Sequence, residues 1–182
     1  RALVNVILSE LVALPVVRDV VGEHWSRLEL VAHRIAHGGE ATEGKVVTGE
    51  TEEEVLEWCR EVEQLAPLHN HLALQGEQEI SALTGLTLSA VVKACRSTLP
   101  SVPSVLLFDT LFHQTIPKHI TTYPISHNPS SYSGAPIRRY GFHGLSYASV
   151  LNTMSKQLNK SEDDCNLVVA HLGSGGSVCM IR

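Results

Sequence analysis

The chain has no surplus of positive charge: 14 Lys and Arg stand against 19 Asp and Glu, for a net charge of −5. With a pI near 6.0 it offers no broad basic face, which argues against nucleic acid and against an anionic membrane surface as partners. A small anionic ligand stays open, because a few local cations suffice to hold one. Paired cysteines are missing too. Cys59, Cys95, Cys165 and Cys179 are widely spaced and form no CxxC or other zinc-like pair, so a reduced, cytoplasmic protein is the economical expectation. No apolar run approaches the length that spans a bilayer. Ala2 to Val17 is rich in apolar residues, but Asn5, Ser9, Glu10 and Pro15 interrupt it, so it reads as a buried helix and not a signal peptide. There is no internal repeat and no low-complexity tract.

What is there is the balance of a globular protein: 182 residues, 43% hydrophobic and 18% charged, enough to bury a sizeable core. From Ala2 to Leu14 apolar residues recur at helical spacing until Pro15 ends the pattern. Leu28 to Ile35 reads as a strand entering the Gly38-Gly39 turn. Thr51, three residues before Glu54, is a capping-box signature for a helix to about Leu65, closed by Pro67. Helices are expected from Leu72 to Leu83, Ser89 to Leu99 and Leu145 to Leu158. Ser104 to Phe108 is a short apolar run suited to a buried strand, with Asp109 at its carboxyl end, where side chains of open α/β sheets face clefts. Pro117 to Pro136 reads as a long polar loop. Asn166 to Arg182 reads as strand, glycine turn, strand. The chain starts at Arg1 without a methionine and stops just after a strand-like run, so both ends are expected to be cut.

Clusters that combine His, Arg or Asp with glycine carry the chemical signal: His33 to Gly39, Phe108 to His113, Arg138 to Gly144, and His171 to Gly175. Glycine lets backbone N–H groups approach a ligand, while Arg and His supply charge and directed donors. Together they suggest an anion site. Several familiar motifs fail. His33 and His37 have the spacing of a zinc-binding pair, but Arg34 stands where the catalytic Glu belongs. Gly39 to Lys45 spells GxxxxGK, yet Val46 replaces the magnesium-binding Ser or Thr, and Glu40 and Glu43 would repel phosphate. Gly173-Ser174-Gly175-Gly176 is neither a dinucleotide fingerprint nor a nucleophile elbow.

The segments VAHRIAHGGE, LAPLHN, FDTLFHQTIP, IRRYGFHGLSY and VVAHLGSGGSVC follow the order and approximate spacing of the acetate kinase family, which the chain resembles from Val31 to Cys179. The resemblance implies an α/β fold, the two-domain actin-like (ribonuclease H-like) ATPase fold, only partly covered here. Residues 1–150 are expected to be the later part of the first domain and 151–182 the start of the second, nucleotide-binding domain. It implies a kinase that transfers the γ-phosphoryl group of ATP to acetate, uses Mg2+, and forms a homodimer when full length. By resemblance, Arg34 holds the carboxylate or the transferring phosphoryl group, His143 stabilises the transition state, and Asp109 is the residue usually termed the active-site acid or base. An ionised carboxylate needs no general base, so Asp109 is better assigned to orienting Arg34 or a magnesium-bound water. Ala36, Leu68 and Phe142 match positions lining the pocket for the substrate methyl group, with ordinary core packing as the competing reading, and His69 matches an active-site position or a structural hydrogen bond. His171, Leu172, Gly173, Ser174 and Gly175 match the first ATP-phosphate loop. No metal ligand is expected within this sequence.

The chain departs from the family pattern in places. Ala36 replaces the usual Val, His71 a Pro, Tyr147 a second His after the FHG motif, and Ser174 an Asn. A larger pocket at Ala36 opens the way to propionate. The family's amino-terminal strand and turn, a second Arg, the adenosine-binding segment and a magnesium-holding Glu have no counterpart here, so the segment alone is expected to be inactive and prone to aggregate. Competing readings are a propionate or butyrate kinase, a pyrophosphate-dependent acetate kinase, a non-catalytic actin-like nucleotide-binding protein, and a histidine-rich metallohydrolase.

Overall fold

The computed structural model describes residues 2–22, 25–63, 65, 88–125, 136–173 and 175–182. The expected helix from Leu72 to Leu83 lies outside the described residues, as do Leu68, His69, His71 and Ser174.

Strand β1 (Val31–Ile35) runs parallel to β3 (Ser104–Phe108), and β2 (Lys45–Val47) lies antiparallel on the other side of β3. The apolar run of β3 takes the central place because ladder bonds on both sides satisfy its backbone, and Ser104, Leu106 and Phe108 are buried. Helices α3 (Glu52–Glu63) and α4 (Leu88–Thr98) pack against each other and the sheet. The core joins Ile35, Val47, Leu56, Cys59, Val92, Leu106 and Phe108, with Trp58 edge-on to Phe108 at 5.1 Å between ring centres. Helix α3 begins where the capping signature predicts, but the Thr51 hydroxyl turns back to donate to the Val46 carbonyl and accept from the Thr48 N–H. That ties the helix start to β2, a three-residue strand too short to announce itself in the sequence.

Pro15 ends α1 (Ala2–Ala13), as expected, and also opens α2 (Pro15–Val21) from its first turn, a position where its missing N–H costs nothing. The expected burial of this segment is not met. Val6, Ile7, Leu11, Leu14, Val16 and Val20 are all exposed, because the segment's cover here is slight: α1 and α2 meet each other and α1 meets α4. The expected loop after Pro117 contains a short helix, α5 (Lys118–Thr121), and a bridge between Thr122 and Arg138. Helix α6 (Gly144–Leu158) is closed by Asn159 in the left-handed conformation. The chain then forms an antiparallel hairpin of β4 (Leu167–Leu172) and β5 (Gly176–Ile181), and α6 packs on β4. The expected domain boundary at 150/151 falls within α6.

Candidate active site

The sheet delivers Arg34 and Asp109 side by side. In the parallel register Arg34 lies opposite Leu107 and Ile35 opposite Phe108, so the chain leaving β3 reaches Asp109 level with the end of β1. There the Arg34 fork engages the carboxylate with both arms: Nη2 lies 2.5 Å from Oδ2 and Nε 3.4 Å from Oδ1. The pair is lopsided in exposure, the Arg34 side chain being 57% exposed and Asp109 1%. Asp109 is thus an anchored, buried carboxylate that aims a largely solvent-facing guanidinium.

Asp109 also opens a 3-10 helix (Asp109–His113) that packs on α6. Its Oδ1 accepts the Leu145 N–H at 3.2 Å, so the carboxylate satisfies a donor in the first turn of α6 and favours that positive end of the helix. The fit leaves no room at Gly144, where an added Cβ would run into the Asp109 carbonyl. Gly141 meets a similar limit: its φ is +86° and a Cβ there would enter the His113 ring. The His113 Nε2–H donates to the Phe142 carbonyl at 2.9 Å, which fixes the segment before His143.

His143 itself holds a left-handed backbone, φ 56° and ψ 26°, immediately before α6, a conformation that costs a non-glycine residue about 1–2 kcal/mol. The geometry turns its ring onto that of His171 in β4, the two stacked 3.9 Å apart and 9° from parallel. Nδ1 of His143 is 2.9 Å from the Ser177 hydroxyl, and Nδ1 of His171 is 3.0 Å from the Ser146 hydroxyl. Sequence reasoning singled out the two histidines but passed over the serines. Ser177 was discoverable from the hairpin register, since it lies directly opposite His171 and cross-strand partners share a face.

Among the other expected site residues, Ala36 is half-buried just past β1, and Phe142 is 47% exposed beside His143. Their two segments meet where the Tyr140 ring stands edge-on to His37, 4.6 Å between centres. His37 is buried and its Nδ1 accepts the Gly39 N–H at 2.9 Å, while the Gly38 N–H donates to the Thr110 hydroxyl at 3.2 Å. The HGG turn is therefore held internally. Burial lowers the pKa of both His37 and His33, and His33 Nε2 is 3.2 Å from the Ser104 hydroxyl. At the glycine turn Leu172 is exposed, and the Gly173 N–H donates to the Gly175 carbonyl at 3.1 Å. The open side of Gly175 faces the His143 ring, whose Cε1 would lie 4.0 Å from an added Cβ.

Among the described residues no group of three or more His, Cys, Asp or Glu could hold a metal, and both Asp109 oxygens are engaged by Arg34 and the Leu145 amide.

A sequence model of the acetokinase family matches residues 2–182. The chain belongs to the acetokinase family. Among its relatives are a probable acetate kinase of Cryptococcus neoformans, 41% identical over 155 residues, covering 85% of this chain and 32% of that protein. Another is the acetate kinase of Geobacter metallireducens, 37% identical, covering 92% of this chain and 36% of that one. The crystal structure of Porphyromonas gingivalis acetate kinase superposes with a TM-score of 0.73 at 30% identity, covering 100% of this chain and 40% of that one. The crystal structure of a Francisella tularensis propionate kinase gives 0.71 at 28% identity, covering 97% and 38%. The acetokinase chain described here thus spans about a third of the length of the curated relatives it matches. Its fold is part of the two-domain actin-like α/β fold of acetate and propionate kinases.

Proposed function

We propose that this chain supplies the carboxylate-side and first phosphate-side residues of an acetate kinase, which transfers the γ-phosphoryl group of ATP to acetate, reversibly, in the cytoplasm. The observation that carries the reading is the placement of the Arg34–Asp109 pair and the His143–His171 stack at the same end of α6.

The chemistry asks for little else from these residues. Acetate, with a pKa near ~4, is already ionised at neutral pH, so it attacks phosphorus without a base. What opposes reaction is the approach of one anion to another. Arg34, held by Asp109, presents a fixed cation to the carboxylate or the transferring group, and fixed donors stabilise its charge without reorganising. In this reading His143 would donate to an equatorial phosphoryl oxygen, and the glycine turn, whose Gly175 faces the His143 ring, would take the phosphates of ATP. Magnesium, which the resemblance implies, would share the charge neutralisation. In this reading Asp109 orients Arg34 and acts as neither acid nor base. Residues up to about the start of α6 form the carboxylate side, with the hairpin opening the nucleotide side.

The test is hydroxylamine trapping of acyl phosphate on the full-length protein carrying this sequence, with acetate and propionate crossed against ATP and pyrophosphate. Turnover of acetate with ATP that collapses in Arg34→Ala supports the assignment. Absence of acyl phosphate with every pair refutes it.

A further inference from the structure

We propose that Ser146 and Ser177 are positioning residues that brace the His143 and His171 rings face to face and thereby lock the start of α6 to the β4–β5 hairpin. Each element brings one histidine and one serine. His143 and Ser146 stand three residues apart at the start of α6, a spacing that puts side chains on one side of a helical turn. His171 and Ser177 are cross-strand partners in the hairpin, a pairing that puts them on one face. Each histidine thus has a serine at hand on its own element, yet the bonds run crosswise. Nδ1 of His143 meets the Ser177 hydroxyl at 2.9 Å, and Nδ1 of His171 meets the Ser146 hydroxyl at 3.0 Å. Between the two bonds the rings lie 3.9 Å apart and 9° from parallel.

Bonds within one element would leave helix and hairpin independent of each other, whereas crossed bonds require both to be in place. A hydroxyl and a ring nitrogen can each donate or accept, so the brace holds whichever partner carries the hydrogen. Stacking alone would leave each imidazole free to turn about its broad χ2 torsion. An Nδ1 tied to a serine stops that turn. All four side chains are half-buried, where water competes and a single bond is weak. Joined with the stack in one closed set, each bond orders the partners of the other. The rings so braced are those the proposed reaction uses: His143 as donor to the phosphoryl group, and His171 at the edge of the glycine turn whose Gly175 faces the His143 ring. The brace therefore fixes the donor relative to the phosphate loop, and neither serine needs to touch a substrate.

The kinetic consequence rests on the proposed kinase reading, whereas the brace itself does not. In the full-length protein carrying this sequence, isotope-labelled on histidine, nuclear Overhauser contacts should join the ring protons of His143 and His171. They should weaken in Ser146→Ala and in Ser177→Ala and persist in Ser177→Thr, which keeps the hydroxyl. In the acyl phosphate assay each alanine variant should lower kcat about fivefold, the order expected for one neutral hydrogen bond, with KM for the carboxylate within about twofold. Because the two bonds close one set, the double variant should lose about tenfold and not the roughly twenty-five-fold of two independent serines. If Ser146→Ala fails to fold, Ser177→Ala on the hairpin decides alone, by its ring contacts and its kcat. Ring contacts that survive unchanged in Ser177→Ala, or losses that multiply in the double variant, overturn the proposal. Ring contacts as expected in a protein that makes no acyl phosphate sink the kinase reading and leave the brace standing.

Discussion

Arg34 and Asp109 make a two-armed ion pair across the ends of parallel strands, and the same carboxylate accepts the Leu145 N–H at the start of α6. One buried side chain therefore couples the aim of the guanidinium to the seating of the helix that carries His143. If Arg34 binds an anion as proposed, the pair removes in advance the entropy that a freely swinging guanidinium would lose on each encounter.

Replacing Asp109 separates these two duties. Asp109→Ala leaves the partly buried Leu145 amide without its acceptor and should lower stability by about 1 kcal/mol or more. Asp109→Asn keeps an acceptor for that amide but weakens the pair, so it should raise KM for the carboxylate more than it lowers stability. Denaturant titration and steady-state kinetics on both variants check this. Nearly full turnover with unchanged KM in Asp109→Asn would remove Asp109 from any role in orienting Arg34.

Gly144 should tolerate no side chain. A Cβ there would overlap the Asp109 backbone carbonyl and press on Phe112, and neither can yield without moving the 3-10 turn. Gly144→Ala is expected to cost about 3 kcal/mol, the upper end of ordinary overpacking. Gly49→Ala is the control, since its Cβ would meet nothing closer than Arg96 Nη2 at 4.0 Å. Thermal melts that place the two variants together would show that the α6 junction is looser than this.

Much of the site could be read from the sequence because its anchors sit at element ends that local patterns reveal. The apolar run of β3 places Asp109, and the glycine turn of the β4–β5 hairpin places His171. What escaped depends on three-dimensional meetings. Ser177 reaches His143 only after α6 packs on β4, and β2 exists because β3 offers it an edge. Pro15 was legible as a helix end and not as a helix start, since proline suits both. The exposure of α1 and α2 could not follow from their apolar pattern, which records what a face is made of and not what covers it.

Acid should destabilise the fold through His33 and His37. Burial holds both below the ordinary value of 6.5, so the unfolded chain takes up protons first as the pH falls. Their contribution is complete above about pH 6.5 and is lost progressively below it, until the depressed folded pKa values are reached. Denaturant midpoints should therefore drop between pH 7.5 and pH 5, and His33→Gln should flatten that slope. An unchanged slope in this variant would shift the acid sensitivity to other groups.

The outward face of the β4–β5 hairpin should make the isolated segment self-associate. Val168, Leu172, Val178 and Met180 are 72–81% exposed there, alternating along paired strands to form one apolar face. Light scattering on residues 1–182 should report oligomers that grow with concentration. Val168→Lys with Met180→Lys should suppress them, because charge on that face opposes stacking. A monomeric unmodified segment with a cooperative melt would contradict this.

Ala36 is expected to set how large an acyl group the site admits. It is half-buried just past β1, two residues from Arg34, so if Arg34 binds the carboxylate as proposed, Ala36 would lie near the alkyl end. The resemblance puts a larger Val at this position, so Ala36 leaves room for roughly the extra methylene that separates propionate from acetate. A methylene in an apolar pocket is worth about 1–3 kcal/mol of discrimination, or 10–200-fold in kcat/KM. Ala36→Val should therefore reduce kcat/KM for propionate by at least about tenfold and leave acetate within about threefold, measured as acyl hydroxamate with each acid. Equal losses for both acids would mean that the bulkier side chain disturbs the Arg34 strand and not the pocket. No change for either would place the alkyl group elsewhere, with the exposed Phe142 ring as the next surface to vary.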